Sequence, residues 1–266
     1  MPADFRSTFT DGEAYERYVG RWSRLVGRRF LGWLNVPAGA RWLDVGAGTG
    51  ILTRVILEQG APASVVGIDS SADYLALARQ NITDPRAEFR QTDLAELSPE
   101  LPFDVAVAGL VLNFLPDSAL GVQRMAEAVR PGGLVAAYVW DYGGRMEMMR
   151  QFWVAAATLD AAVAAAESAQ HVSLCRPDVL GPLFESAGLA AVEVTAIDME
   201  ARFADFDDYW LPFLKAQGSA AKYLRRLDDG KRDALRDQLR RQLPTATDGS
   251  ITLNAGAWAV KGQVQG

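Results

Sequence analysis

The chain has 266 residues, 49% hydrophobic and 23% charged, the ordinary balance of a globular protein able to bury a core. A net charge of −6 and a pI near 5.0 argue against a nucleic-acid partner, which would call for a basic face to neutralise phosphates. One cysteine, Cys175, excludes an intrachain disulfide and points to a reducing compartment, and with a single histidine it leaves no zinc set. The stretch 1–11 is polar, without the apolar core of a signal peptide, and no apolar run is long enough to span a membrane, so a cytoplasmic protein is expected.

In chain order, Glu13–Leu34 places Tyr15, Tyr18, Val19, Trp22, Leu25, Val26, Phe30 and Leu34 at helical spacing. Pro37-Ala38-Gly39 breaks the chain. Strands follow at Arg41–Val45, Ser64–Ile68 (ending on Asp69), Ala87–Gln91, Phe103–Ala108 and Leu134–Trp140. Helices alternate with them at Ile51–Gln59, Ser71–Gln80 (capped by Ser70 or Ser71) and Ser118–Val129. Pro131-Gly132-Gly133 reads as a turn. This alternation predicts an α/β fold with a parallel sheet covered on both faces. Beyond Trp140 the rhythm changes. Arg145–Ala169 and Pro177–Ala187 are helical, Val192–Phe203 and Ile251–Val264 are β-like, and Asp205–Leu243 holds two or three helices. The whole, 1–266, reads as one domain with helical insertions at 145–170 and 205–243.

The chemistry begins at Asp44-Val45-Gly46-Ala47-Gly48-Thr49-Gly50, where a strand runs into glycines at alternate positions and then a helix. Glycine admits positive φ and close approach of a ligand to the main chain. Dinucleotides use G-x-G-x-x-G, but here Ile51 stands at the third glycine's place. The loop alone leaves both a dinucleotide and S-adenosylmethionine (SAM) open. Asp69, closing the next strand, supplies a carboxylate able to accept from two ribose hydroxyls.

Leu43–Gly50, Val66–Ser71, Gln91-Thr92-Asp93-Leu94, Phe103-Asp104-Val105 and Arg130–Gly133 together resemble the successive motifs of class I SAM-dependent methyltransferases. The likeness is greatest to the ubiquinone/menaquinone biosynthesis (methyltransferase type 11) group and covers about residues 40–140. It implies a Rossmann-like seven-stranded sheet in the order 3-2-1-4-5-7-6, with strand 7 antiparallel. A helical cap, formed by 13–34, 145–170 and 205–243, would then cover the ends of strands 4 and 5. It also implies that Gly46, Ala47 and Gly48 cradle the methionine part of SAM, with Asp44 near its amino group. Asp69 would hold the ribose, Ser70 and Tyr74 would lie beside the adenine, and Asp93 and Leu94 would take its amino group and ring. Ala108, Gly109, Asn113 and Phe114 would line the sulfonium side. Tyr18 and Trp22 would fold over the cofactor, and Arg21 would pair with its carboxylate. For several of these a plainer role stays open: Ser70 as a helix cap, Tyr74 and Trp22 as core aromatics.

Methyl transfer is an in-line displacement at an activated carbon, so alignment and water exclusion dominate. A base helps only where the acceptor must lose a proton, and His171 and Asp141 are the candidates. Trp140 and Tyr142 follow strand 5 and should face the acceptor, and the aromatic cap, Trp210 included, suits an apolar or aromatic small molecule. No Asn/Asp-Pro-Pro-aromatic tetrapeptide follows strand 4, and Gly109 stands where metal-dependent catechol-type enzymes carry an acid, so no metal is expected. The leading expectation is a SAM-dependent methyltransferase acting on O, N or C of a small molecule, as a monomer or homodimer. An NAD(P)-dependent oxidoreductase and a non-catalytic SAM-binding module are the alternatives.

Overall fold

The computed structural model describes residues 20–96, 102–162, 174–215 and 219–266. Among them one sheet contains β1 (Arg41–Val45), β2 (Ser64–Asp69), β3 (Ala87–Gln91), β4 (Phe103–Gly109), β5 (Val129–Trp140), β6 (Leu189–Phe203) and β7 (Ile251–Val264). Their spatial order is 3-2-1-4-5-7-6. β1 to β5 pair in parallel, and β7 runs antiparallel between β5 and β6, as the family resemblance implies.

The two-residue period of the strands divides the core. Trp42, Val105, Val107, Ala136 and Tyr138 face α1 (Arg21–Leu34) and α2 (Ile51–Gln59). Leu43, Val45, Ala106, Ala108, Val135, Ala137 and Val139 face the opposite side, in one cluster with Val122 and Met125 of α4 (Ser118–Glu127) and Leu180 and Phe184 of α6 (Pro177–Ser186). α3 (Ala72–Asn81) packs Leu75 and Ala78 onto Phe89 and Ala47. Central strands covered on both faces read as continuous apolar runs, which is why β1 and β4 were legible.

The first core cluster continues into the helical insertions. α5 (Glu147–Ala157) contributes Phe152, and α7 (Phe206–Lys215), α8 (Ser219–Arg226) and α9 (Asp229–Gln242) contribute Tyr209, Phe213, Tyr223, Leu235 and Leu239. Phe152 stacks on Phe213 with centroids 4.7 Å apart, and the buried Tyr209 hydroxyl donates to the Met148 carbonyl at 2.9 Å.

The structure corrects several expectations. Pro131-Gly132-Gly133 lies inside β5, not before it. Register is lost between the Phe103–Val129 and Val105–Leu134 pairs, so this segment is a bulge. β6 starts at Leu189, with its own register shift between Ala190 and Glu193. Leu25, assigned to the apolar face of the first helix, is 40% exposed, and Leu31 is buried in that face instead. α1 packs beside α2 against the sheet; in its first turn Arg21 pairs with Asp208 of the insertion and Trp22 meets Phe203 at the end of β6. The insertion helices α8 and α9 pack on α5, and α7 packs on β6. The stretch 163–173, the end of the expected cap helix, lies outside the described residues. No helix among the described residues is long and apolar enough to cross a membrane.

Candidate active site

β1 delivers the chain into a loop in which Gly46, Gly48 and Gly50 have φ of 67°, 54° and 87°. At Gly46 glycine is required twice over. The backbone is left-handed, and a Cβ there would lie 2.5 Å from Cγ2 of Val111, which crosses from the segment after β4. The carboxylate closing β2 holds the loop in place: Asp69 Oδ2 accepts from the Gly48 N–H at 3.0 Å and Oδ1 from the Ser71 N–H at 2.8 Å. Each carboxylate oxygen has a further lone pair, so the same group can still accept from a ligand. Burial pushes the Asp69 carboxyl above its ordinary range, and the backbone N–H groups pull it back.

Below the loop, Asp44 is buried at 1% exposure and accepts from the Thr53 hydroxyl at 2.6 Å. Burial raises its carboxyl to about 7, against the bond from Thr53 and with a small contribution from Asp69. The folded chain therefore holds this proton longer than the unfolded chain. The resulting stabilisation is complete below the unfolded value of 3.8 and is lost as pH rises through about 7, a change of up to about 4 kcal/mol. Urea melts at pH 5 and pH 8 are expected to show this loss in the native protein and a smaller loss in Asp44→Asn. Equal pH dependence in the two proteins would show that Asp44 titrates normally.

β4 ends at Gly109, and Leu110 takes a φ of 62°, a strained value for a side-chain-bearing residue, while its N–H donates to the Tyr138 carbonyl at 2.8 Å. A turn of 3-10 helix at Leu112–Phe114 follows. Asn113 in that turn is 9% exposed, and its Nδ2 has no acceptor among the described residues. Asp44, Gly46, Ala47, Gly48, Asp69 and Ser70 thus gather at the carboxyl ends of β1 and β2. Ala108, Gly109, Asn113 and Phe114 stand at the end of β4, next to β1.

Other expected residues have different surroundings. Ser71, not Ser70, caps α3, accepting from the Tyr74 N–H at 3.3 Å, and Ser70 is exposed. Tyr74 is half-buried on the first turn of α3. Asp93 is exposed and its carbonyl opens the Leu94–Glu96 turn, while Leu94 is buried in the core cluster on the α4 side. Trp22 is a core residue, edge-on to Phe203 at 5.6 Å. Asp141, a base candidate, is ion-paired with Arg145 at 2.8 Å, and Arg145 also reaches Asp198 of β6 at 2.9 Å. Trp140 is buried in the core and Tyr142 partly buried beside it. Trp210 stacks on Phe206 at 6.3 Å within the insertion core. Tyr18 and His171 lie outside the described residues. Thr53 was missed; its place in the first turn of α2, facing back onto Asp44, was the only signal for it.

A cleft of about 480 Å³ lies at the opposite, amino-terminal end of the sheet, between Leu34, Pro37, Asp104, Arg130, Glu193 and Lys261. Its charges pair with each other, Arg130 with Asp104 at 2.5 Å and Lys261 with Glu193 at 3.4 Å. In open α/β sheets ligands bind at the carboxyl ends of strands, where the glycine loop stands. Among the described residues no group of three or more His, Cys, Asp or Glu side chains is arranged to hold a metal ion.

Comparison with known proteins bears on this site. A family described as a methyltransferase domain matches residues 15–194. The chain is 34% identical over 126 residues to a trans-aconitate 2-methyltransferase of Azoarcus sp. (strain BH72), covering 47% of this chain and 49% of the relative. It is 38% identical over 106 residues to another of that name from Methylobacterium nodulans, covering 40% of each. The chain thus spans about half the length, or less, of these curated relatives. Among solved structures, the Haemonchus contortus phosphoethanolamine N-methyltransferase 2 in complex with S-adenosyl-L-methionine superposes with a TM-score of 0.59 at 18% identity, over 99% of this chain and 60% of that one.

Proposed function

The chain belongs to the class I SAM-dependent methyltransferase family, and on that premise we propose that it transfers a methyl group from SAM to a small-molecule acceptor. The observation that carries the reading is the Asp69 carboxylate, fixed by Gly48 and Ser71 beside a glycine loop of positive φ. A group with a ribose and no pyrophosphate suits this loop, because Ile51 replaces the glycine that a dinucleotide needs.

In this reading Asp69 receives the ribose hydroxyls and Gly46, Ala47 and Gly48 pass along the methionine part, with Asp44 below. Ser70, Tyr74 and Asp93 border the adenine, and Ala108, Gly109, Asn113 and Phe114 border the sulfonium side. SAM, when bound, supplies a methyl group already activated by positive sulfur. The chain's own task is to align the acceptor and exclude water. That alignment is the main contribution in this reading, and Asp141 stands ion-paired with Arg145. We read the enzyme as cytoplasmic and as one domain.

The test is transfer of labelled methyl from SAM to a panel of small carboxylic acids, phenols and amines, beginning with trans-aconitate, the acceptor in its relatives' names. Turnover of at least one compound is expected. Tight SAM binding with no turnover on any compound would favour a binding module. Binding of NADH in place of SAM would favour the oxidoreductase alternative.

A further inference from the structure

Arg21 opens α1, and its guanidinium is held from several sides. Nη1 donates to Asp208 Oδ2 at 3.0 Å, and Cζ lies 4.4 Å from the Trp22 ring centroid and 5.0 Å from that of Phe203. The remaining edge, Nε and Nη2, is buried and meets no acceptor among the described residues. Elsewhere in this chain that same edge takes a carboxylate in two parallel bonds. Arg86 does so on Asp84 at 3.0 and 2.7 Å, and Arg90 on Glu88 at 2.7 and 2.8 Å. The planar fork of arginine matches a carboxylate in this way. Trp22 Nε1, on the ring against which the guanidinium lies, is also buried without an acceptor, and Trp22 is only 6% exposed. Buried donors without partners are rare in folded proteins. An apolar acceptor would leave all three unmatched, whereas a carboxylate offers enough lone pairs for each.

Position decides which carboxylate this is. Phe203 ends β6 and Asp208 lies in the first turn of α7, whereas the glycine loop follows β1. β4, β5 and β7 stand between β1 and β6, a distance of four strand spacings of about 4.8 Å each. The open edge therefore belongs to the insertion side of the sheet. We propose that Arg21, through Nε and Nη2 with Trp22 Nε1 beside them, binds a carboxylate of the methyl acceptor at the end remote from the atom that is methylated, and so selects acids long enough to reach from there to the β4 end over neutral compounds. This deepens the methyltransferase reading and rests on it.

Protein labelled with 15N-arginine tests the assignment, with and without S-adenosylhomocysteine (SAH). It is titrated with citrate, succinate and benzoate, each against its amide. The Arg21 Nε–H proton is expected to move downfield with at least one acid and with none of the amides. Arg21→Lys keeps the charge and a partner for Asp208 but loses the two-donor edge. It should weaken that binding by about 30-fold while the Kd for SAH stays within about twofold. If SAH alone moves the Arg21 signal and Arg21→Lys weakens SAH equally, the edge serves the donor's methionine carboxylate and the proposal fails. A signal indifferent to every acid also overturns it. Failure of SAH to bind would count against the methyltransferase reading, while the acid titration without SAH still decides the role of Arg21.

Discussion

Replacing Asp69 with alanine is expected to weaken SAH binding by at least about 100-fold in calorimetry. Two effects combine. The carboxylate would receive both ribose hydroxyls, and each hydrogen bond to a charged group is worth about 1.5–3 kcal/mol. The same oxygens also hold the Gly48 and Ser71 N–H groups, so alanine frees the loop that cradles the rest of the ligand. Asp69→Asn is no mild substitute. One oxygen of the asparagine can accept from Ser71, but its amide nitrogen then faces the Gly48 donor. Both variants should therefore bind poorly, alanine worse. A Kd within about threefold of wild type in folded Asp69→Ala protein would remove Asp69 from the site.

The second large effect belongs to Gly46. Alanine there must adopt a φ of 67° and place its Cβ 2.5 Å from Val111 Cγ2. The left-handed backbone costs about 1 kcal/mol or more, and displacing the valine adds about 1–3 kcal/mol of packing strain. A loss of about 3 kcal/mol in denaturant unfolding is expected, together with loss of SAH binding. The two parts separate by suppression. Val111→Ala in the Gly46→Ala background should restore part of the stability by removing the clash, but not the backbone part. Unchanged stability in Gly46→Ala alone would show that the loop relaxes freely and that Val111 is not its ceiling.

Legibility followed the range of the interactions. The glycine loop, Asp69 and the first five strands were readable because their signals lie within a few residues: a strand's apolar run, glycines at alternate positions, an acid closing the next strand. The sheet order came from family resemblance, since no local pattern says that β7 inserts between β5 and β6. Partners distant in sequence stayed hidden. Arg21 pairs with Asp208, 187 residues away, and nothing near Arg21 announces it. Val111 closing over Gly46 is a tertiary fact of the same kind. Asp141 is the contrary case, because Arg145 stands four residues on, and that spacing already offered an ion pair as the plainer role. The aromatic residues of the insertion were seen as a cluster, but composition cannot separate a pocket wall from a core. The structure packs Phe152 and Tyr209 against Phe213, and Trp210 against Phe206.

In the proposed arrangement the cofactor lies at the carboxyl ends of β1 and β2, the acceptor toward the insertion, and no ligand in the cleft at the other end of the sheet. The crystal structure of the protein grown with SAH tests this most directly. The ribose hydroxyls are expected on the Asp69 carboxylate, the methionine part over Gly46–Gly48, and the sulfur facing the Gly109–Phe114 segment. SAH bound elsewhere, for instance between Arg130 and Lys261 at the amino-terminal end of the strands, or absent at saturating concentration, would contradict it.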